Sequence, residues 1–315
     1  MVVIHIGHHN TLNYYTMKKQ LFLAAFVLLA ATSCSNESEV TVSNAQTETA
    51  TAPVRVHVSG FSVSQEDFSS TRAASAVASY NDVNALMLAF YKADGTEAYT
   101  TTQLKSSLGE GETFGEFSLS LPMGSYTMVA LAYYNSEASP LSLTSPTVAA
   151  FTGVRAYETF ATTQEVAISN TSAVDISATL SRIISQLKVI STDGKTADVS
   201  NVRMTLSAGS KSFNPSTGLA PSNTGIVNTV GVSASVGATS ESATCVFLTA
   251  DEQTMDVTIE TLDADGNMLF SKTIENVPFK RNRRTKLTGA MYTNEALSGA
   301  FQVETAWIDA HNANF

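Results

Sequence analysis

The chain has 315 residues, with 28 acidic and 18 basic side chains and a net charge of −10 at pH 7. This acidic balance argues against a nucleic-acid partner, because binding a polyanion requires a basic surface that releases counterions. The length allows a large buried core and suits two domains better than one.

The first predicted element is a bacterial lipoprotein signal. Lys18 and Lys19 precede an apolar run over residues 21–31, and small residues then lead to Cys34. The run is shorter than the ~20 apolar residues that span a bilayer. We therefore expect cleavage before Cys34 and lipidation of its thiol. The alternative is an ordinary secretory signal followed by an incidental cysteine.

This signal sets the limits of the mature chain. Residues 1–16 lie upstream of a complete signal over residues 17–33, so Met17 is the expected start and residues 1–16 are left out of the fold prediction. Three of the five histidines lie in that upstream segment and predict no metal site. Without residues 1–33, which hold two lysines and no acidic residue, the net charge becomes −12.

A flexible tether and a first strand are predicted next. Residues 34–53 are mostly small and polar, so they cannot repay the entropy cost of ordering. Val54, Val56 and Val58 then alternate with polar residues, which predicts a strand over residues 54–63 with the valines on one face. Gly60 permits a bulge in this strand.

The rest of the chain also predicts strands, and helical periodicity is nearly absent. Asp-Gly pairs at residues 94–95, 193–194 and 265–266 predict hairpin turns, because glycine supplies the positive φ that tight turns require. Short helices are candidates at residues 75–80 and 175–183, and the second could equally be a strand. The predicted strands cover residues 85–91, 126–134, 184–190, 202–206, 245–248, 257–262 and 268–274.

Few residues of the mature chain could support catalysis. Only His57 and His311 remain, and Cys245 lies in an apolar run that predicts a buried thiol. The usual zinc-ligand spacings and the Gly-x-Ser-x-Gly motif are missing from the sequence. We therefore expect a non-enzymatic protein without cofactor or metal. A pair of acidic residues, as in glycosidases, needs no motif and stays open.

Residues 280–286 form a basic block in this acidic chain. If the block is one strand, Arg281, Arg283 and Thr285 share a face, and charges at a sheet edge oppose unwanted pairing. Contact with an acidic partner subunit or an anionic glycan is the alternative.

Several segments resemble Bacteroidales fimbrillin-like proteins, the lipoprotein-derived subunits of type V pili and their anchor subunits. Besides the leader, they are residues 69–73 (Ser-Ser-Thr-Arg-Ala), 121–127 (Leu-Pro-Met-Gly-Ser-Tyr-Thr), 180–182 (Leu-Ser-Arg) and 276–285 (Asn-Val-Pro-Phe-Lys-Arg-Asn-Arg-Arg-Thr). The resemblance implies an all-β chain of two transthyretin-like β-sandwich domains in tandem. We expect these domains over residues 54–178 and 179–315, with the boundary near residues 177–182.

The resemblance also implies assembly by strand exchange. In stalk subunits an arginine-specific protease removes the first strand, and a strand from a neighbouring subunit fills the groove that is left. Here the implied cleavage follows Arg72, in a small and polar stretch, while Arg55 is a poorer candidate within the strand. The removed strand would carry Val54, Val56 and Val58. Anchor subunits keep both this strand and their lipid.

The last apolar residues are candidates for the donated strand. Phe301, Val303 and Trp307 lie in a run that alternates as a donor strand should. The same run could instead be the last strand of its own domain.

These features lead us to expect a fimbrial subunit or fimbrial anchor that mediates cell adhesion. Its expected partners are other pilus subunits, the outer membrane through a lipid on Cys34, and host or bacterial surface ligands. The alternative is a surface glycan-binding lipoprotein of a polysaccharide uptake system. That class needs exposed aromatic side chains, and the single tryptophan, Trp307, lies in a strand-like run.

Overall fold

The computed structural model describes residues 50–62, 80, 82–293 and 300–307. Across these residues the protein is all-β, as predicted, and its one short helix is a 3-10 turn at Lys105–Ser107. No helix in this described part is long and apolar enough to cross a membrane. The predictions for the signal, Cys34, Arg72, His311 and most of the tether lie outside the described residues.

A seven-stranded sheet forms the first part of the fold. Its strands are β1 (Thr51–Ser62), β2 (Ala85–Lys92), β3 (Glu97–Leu104), β4 (Glu116–Pro122), β5 (Gly124–Tyr133), β8 (Thr159–Ile168) and β9 (Val174–Arg182). Their order in the sheet is β3-β2-β5-β8-β9-β1-β4. β1 runs parallel to β9 and antiparallel to β4, and the predicted bulge is present between Val58 and Gly60.

This sheet folds over one apolar core. Val54 and Val56 of β1 are buried in the same cluster as Leu86 of β2 and Met128 of β5. The two halves of the sheet are joined by a short pairing of β8 with β9, where Phe160 lies opposite Arg182. Because alternate residues of a strand face one side, the two halves enclose the core as a β-sandwich.

A second β-sandwich forms from the later strands. The strands are β10 (Ser185–Ser191), β11 (Asn201–Leu206), β13 (Ile226–Gly231), β14 (Glu241–Val246), β15 (Glu252–Leu262), β16 (Met268–Lys280), β17 (Arg283–Gly289) and β18 (Gln302–Trp307). They form two four-stranded sheets, with the orders β14-β10-β17-β18 and β13-β11-β15-β16. Leu187, Val189 and Leu287 of the first sheet share a core with Met204 and Val257 of the second.

A small three-stranded sheet lies at a third core. It comprises β12 (Ser212–Phe213), β7 (Val148–Phe151) and β6 (Leu141–Ser145), in that order. This core contains Leu131 from the first sandwich together with Phe213 and Phe247 from the later part of the chain. All described residues belong to one compact unit, Glu48–Phe315. The division into domains at residues 178 and 179 stays a prediction.

Two of the three predicted Asp-Gly hairpins are present. Gly95 joins β2 to β3 with φ 80°, and Gly266 joins β15 to β16 with φ 85°. The hairpin predicted at Asp193 and Gly194 is wrong, because β10 and β11 belong to different sheets. A Cβ on Gly194 would lie 2.5 Å from the Gly237 carbonyl oxygen, so this glycine serves a close backbone approach.

Two ambiguous segments are resolved by the structure. Residues 175–183, a candidate helix or strand, lie almost wholly in β9, where Ile176, Ala178 and Leu180 are buried in alternation. The basic block does not form the single strand on which its predicted faces depended. β16 ends at Lys280, Asn282 takes a positive φ of 59° in a turn, and β17 begins at Arg283. The predicted face shared by Arg281, Arg283 and Thr285 is therefore wrong for Arg281, while Arg283 and Thr285 are alternate residues of β17.

Candidate strand-exchange site

The first strand is bound to the core by one apolar face. Val54, Val56, Val58 and Phe61 all have side chains that are at least 97% buried. Burying a side chain of this size stabilises the fold by about 1.5–3 kcal/mol at most. Together the four contribute on the order of 10 kcal/mol, comparable with the whole stability of a domain.

The opposite face of β1 is polar and exposed. Arg55 lies 3.5 Å from Asp175 of β9, and His57 is hydrogen-bonded to Glu116 of β4. Such exposed pairs contribute about 0–1 kcal/mol. The apolar face and the backbone pairing therefore hold the strand in place.

Backbone pairing runs along both sides of β1. Val56 lies opposite Phe117 of β4 on one side and Ile176 of β9 on the other. A strand between two neighbours satisfies backbone groups of both. Removing β1 would leave a row of unpaired N–H and C=O groups on each neighbour, beside an open apolar groove.

Three aromatic rings meet where β1 ends. The Phe61 and Phe160 rings stack with centroids 4.3 Å apart. Tyr80 meets both edge-on, with its centroid 5.4 Å from that of Phe61 and 5.2 Å from that of Phe160. Aromatic pairs of this geometry add about 0.5–1.5 kcal/mol each beyond their buried area.

A buried ion pair holds Tyr80 in this position. Arg182 Nε lies 2.6 Å from Glu158 Oε1, and the Tyr80 hydroxyl donates to the same oxygen at 2.9 Å. Arg182 also donates to Asn282 Oδ1 at 3.3 Å, which ties the first sandwich to the second. Burial, and then the charge of Glu158, raise the pKa of the Tyr80 hydroxyl, so it stays protonated and donates.

Sequence reasoning missed this network. Arg182 entered only as part of a Leu-Ser-Arg resemblance, although its guanidinium is buried between partners 24 and 100 residues away in the chain. An arginine at an inward position of an alternating strand was the available signal, since a buried arginine requires a partner.

The last strand pairs within its own chain. β18 lies antiparallel to β17, with Val303 opposite Leu287 and Trp307 opposite Arg283. Within the described strands β18 is the edge of its sheet. Val303 is 42% exposed, and Phe301 packs so closely that a Cβ on Gly289 would lie 2.8 Å from its ring. β1 and β18 belong to different sheets, so the structure does not bring the two predicted assembly strands together.

The structure gives little support for catalysis. Cys245 is buried, and burial raises the pKa of its thiol to about 12. Asp82 and Glu158 line one cavity, but Glu158 is ion-paired with the buried Arg182. Across the part of the chain that the structure describes, no group of three or more His, Cys, Asp or Glu residues could hold a metal ion.

Comparisons with known proteins give one family and several similar structures. The model of a family of unknown function, DUF6562, matches residues 48–312. No curated protein matches the chain. The chain is similar to the fimbrial anchor protein Mfa2 from Porphyromonas gingivalis, at 12% identity and a TM-score of 0.49, over 82% of this chain and 98% of that one.

A second similar structure is the tip fimbrial protein Mfa3 from Porphyromonas gingivalis with C-terminal truncation. The identity is 10% and the TM-score 0.41, over 81% of this chain and 99% of that one. Both of these solved proteins are fimbrial proteins.

Proposed function

This chain belongs to the family of unknown function DUF6562, and we propose that it is a non-enzymatic subunit or anchor of a fimbria. In this proposal it is exported as a lipoprotein, assembles by strand complementation and mediates cell adhesion at the cell surface. The observation that carries the proposal is the placement of β1 between β9 and β4, with one face fully buried.

A cut after Arg72 would release this strand. In the sequence, Arg72 lies between Ser62, where β1 ends, and Tyr80, which is hydrogen-bonded to Glu158. The released piece would therefore run from Cys34 to Arg72. Arg55 is a poor alternative, since it lies inside β1, where the backbone pairs on both sides. A protease requires an extended, unpaired backbone.

The cut subunit would need a replacement strand. Loss of β1 removes four large side chains from the first core and unpairs the facing edges of β4 and β9. An incoming strand with alternate apolar residues would fill the same groove and pair with the same edges. This requirement makes assembly the favoured fate of a cut subunit.

The remaining fold is suited to survive the cut. The buried ion pair of Arg182 with Glu158, and the hydrogen bonds to Tyr80 and Asn282, all lie after residue 72. The network would hold Tyr80 against the core.

The C-terminal residues are the proposed donor. Phe301, Val303 and Trp307 alternate along an edge strand that is paired on one side by β17. Since β1 and β18 occupy different sheets, donation would be to another copy of the chain. Detaching β18 costs one row of backbone pairing, which the recipient groove would restore on two sides.

In this proposal the signal at residues 17–33 directs export, and Cys34 then carries the lipid. In a stalk subunit the cut after Arg72 would remove the lipid together with β1. In an anchor subunit both would stay, and Cys34 would hold the protein in the outer membrane.

Two arginine variants, one at each candidate cleavage site, test the proposal. In cells that display the protein, Arg72→Ala should leave a longer form that starts at Cys34 and does not polymerise, whereas Arg55→Ala should be processed as wild type. The mass of the surface protein and its polymer ladder on electrophoresis give the readouts. Unchanged polymer in Arg72→Ala would rule out assembly through this cut.

A further inference from the structure

A cavity of about 380 Å³ opens between the two sandwiches, and Tyr80 and Glu158 of the network at the end of β1 form part of its lining. Its lining includes Tyr134, Arg155 and Tyr157 from the first sandwich and Gln186, Thr244 and Arg284 from the second. The volume lies within the range of about 300–1,000 Å³ that is usual for small-ligand sites. Neither the strand exchange nor the lipid uses these side chains.

One wall of the cavity is aromatic. The Tyr134 and Tyr157 rings lie with centroids 5.2 Å apart and planes at 38°. Tyr134 is 41% exposed, and the Arg155 guanidinium lies 4.6 Å from the Tyr157 ring centre. A partly exposed tyrosine presents an apolar ring face beside a hydroxyl, a surface that suits the C–H face and the hydroxyls of a sugar ring.

Two arginines in the lining have no carboxylate partner. Arg182, Arg203 and Arg281 all form ion pairs with acidic side chains. Among the described residues, Arg155 and Arg284 form none. Arg284 Nε donates to Gln186 Oε1 at 2.6 Å, which fixes the guanidinium of this lining residue and uses one of its five N–H donors.

The charges of the lining favour an anion. The ion pair with Arg182 neutralises the charge of Glu158. The lining then carries two positive charges, on Arg155 and Arg284, and one negative charge, on Asp82. Arg155 also lowers the pKa of the neighbouring Tyr157 hydroxyl. Burial raises the pKa of the Tyr157 hydroxyl, but hydrogen bonds with Ser136 and Arg155 outweigh burial and hold that pKa below its ordinary value.

We infer that this cavity binds the carboxylate-bearing terminal sugar of an anionic glycan. Arg155 and Arg284 would hold the carboxylate, because planar guanidinium groups match its geometry. The exposed face of Tyr134 would stack on the sugar ring, and Gln186 would meet its hydroxyls. This inference rests on the proposed adhesive function. It adds to that function the class of ligand that is bound.

Calorimetry on the purified mature chain tests the inference. The probes are glycans that end in glucuronate, galacturonate or sialic acid, each paired with its methyl ester. At least one acid should bind, and its ester should bind about tenfold more weakly or worse, since the ester cannot form charge-assisted hydrogen bonds. Failure of the whole panel at millimolar concentration, or equal binding of acid and ester, would overturn the inference.

Matched variants locate the site. Arg284→Gln and Tyr134→Ala should each weaken binding by about tenfold or more. Arg281→Gln, a neighbouring arginine outside the cavity, should leave binding unchanged, and thermal melts check that all three variants fold. If Tyr134→Ala binds as wild type and a glutamate-rich peptide competes, the ligand is an acidic peptide and the sugar assignment is wrong.

The same variants separate this inference from the proposed function. Arg72→Ala should block polymerisation and keep glycan binding. Arg284→Gln should polymerise normally and lose glycan binding. Each result bears on one proposal alone.

Discussion

The Phe61 ring lies on the Phe160 ring, with centroids 4.3 Å apart and planes at 29°. Phe61 is close to the end of β1, and Phe160 is at the start of β8, in the part of the sandwich that would remain after a cut at Arg72. The stack is therefore a direct link between the removable strand and the rest of the protein.

Phe61→Ala should destabilise the uncut protein by about 3–5 kcal/mol, because it leaves a cavity beside Phe160 and Tyr80. Urea unfolding at pH 7 measures this loss. Arg55→Ala, on the exposed face of the same strand, should cost no more than about 1 kcal/mol. Equal, small losses for both variants would contradict the role given to the apolar face of β1.

Arg182→Met should cost about 3–5 kcal/mol, because it leaves the Glu158 charge buried without a partner. Arg203→Met is the matched control, since the pair of Arg203 with Glu260 is more exposed, and it should cost less. The double variant Arg182→Met with Glu158→Leu should regain part of the loss. If it is no more stable than Arg182→Met, the ion pair is not the cause.

The contribution of Asp193 to stability should depend on pH. Burial raises the pKa of this carboxyl, but hydrogen bonds from Met291, Tyr292 and Thr293 outweigh burial and hold the pKa below its ordinary value. A lowered pKa stabilises the fold above the unfolded value of about 3.9, and this stability is lost as the pH falls through the folded pKa.

Asp193→Ala should therefore be clearly less stable than wild type at pH 6, and the difference should shrink as the pH falls from 5 to 2. Urea unfolding across this range measures it. Asp198→Ala, at an exposed position nearby, should differ little from wild type at any of these pH values. A difference for Asp193→Ala that stays constant down to pH 2 would contradict the role of the ionised carboxylate.

The sequence was most informative where a local pattern decides the structure. The alternating valines of β1 predicted both its strand and its buried face, and two Asp-Gly pairs predicted their hairpins. Asp193-Gly194 has the same local chemistry. Its carboxylate instead binds the backbone at residues 291–293, far along the chain, which a local pattern does not reveal.

The sites depend still more on distant residues. Thr159–Ile168 forms β8, but its apolar residues do not alternate regularly with polar ones, and this strand and the unpredicted β4 (Glu116–Pro122) belong to the first sheet. The proposed glycan cavity collects residues from β10, β14 and β17, from the segment before β8 and from Tyr134, which follows β5. Arg284 was visible in the sequence as part of a basic block, but only the folded structure shows that it lines the same cavity as Tyr134.

Native Cys245 should resist alkylation. Burial raises the pKa of this thiol to about 12, so at pH 8 it forms far less of the reactive thiolate than an ordinary cysteine. Iodoacetamide labelling, followed by mass spectrometry of the peptide with Cys245, should be slow in buffer and fast in 8 M urea, a denaturing concentration. Fast labelling of the folded protein would contradict the burial of the Cys245 thiol.

The N-terminus of the polymerised protein tests the central claim most directly. The surface polymer is isolated and its subunits are identified by N-terminal sequencing and intact mass. We expect assembled stalk subunits to begin at Ala73, without lipid and without β1. Polymer in which every subunit begins at lipidated Cys34, with β1 retained, would contradict assembly by strand exchange at this groove.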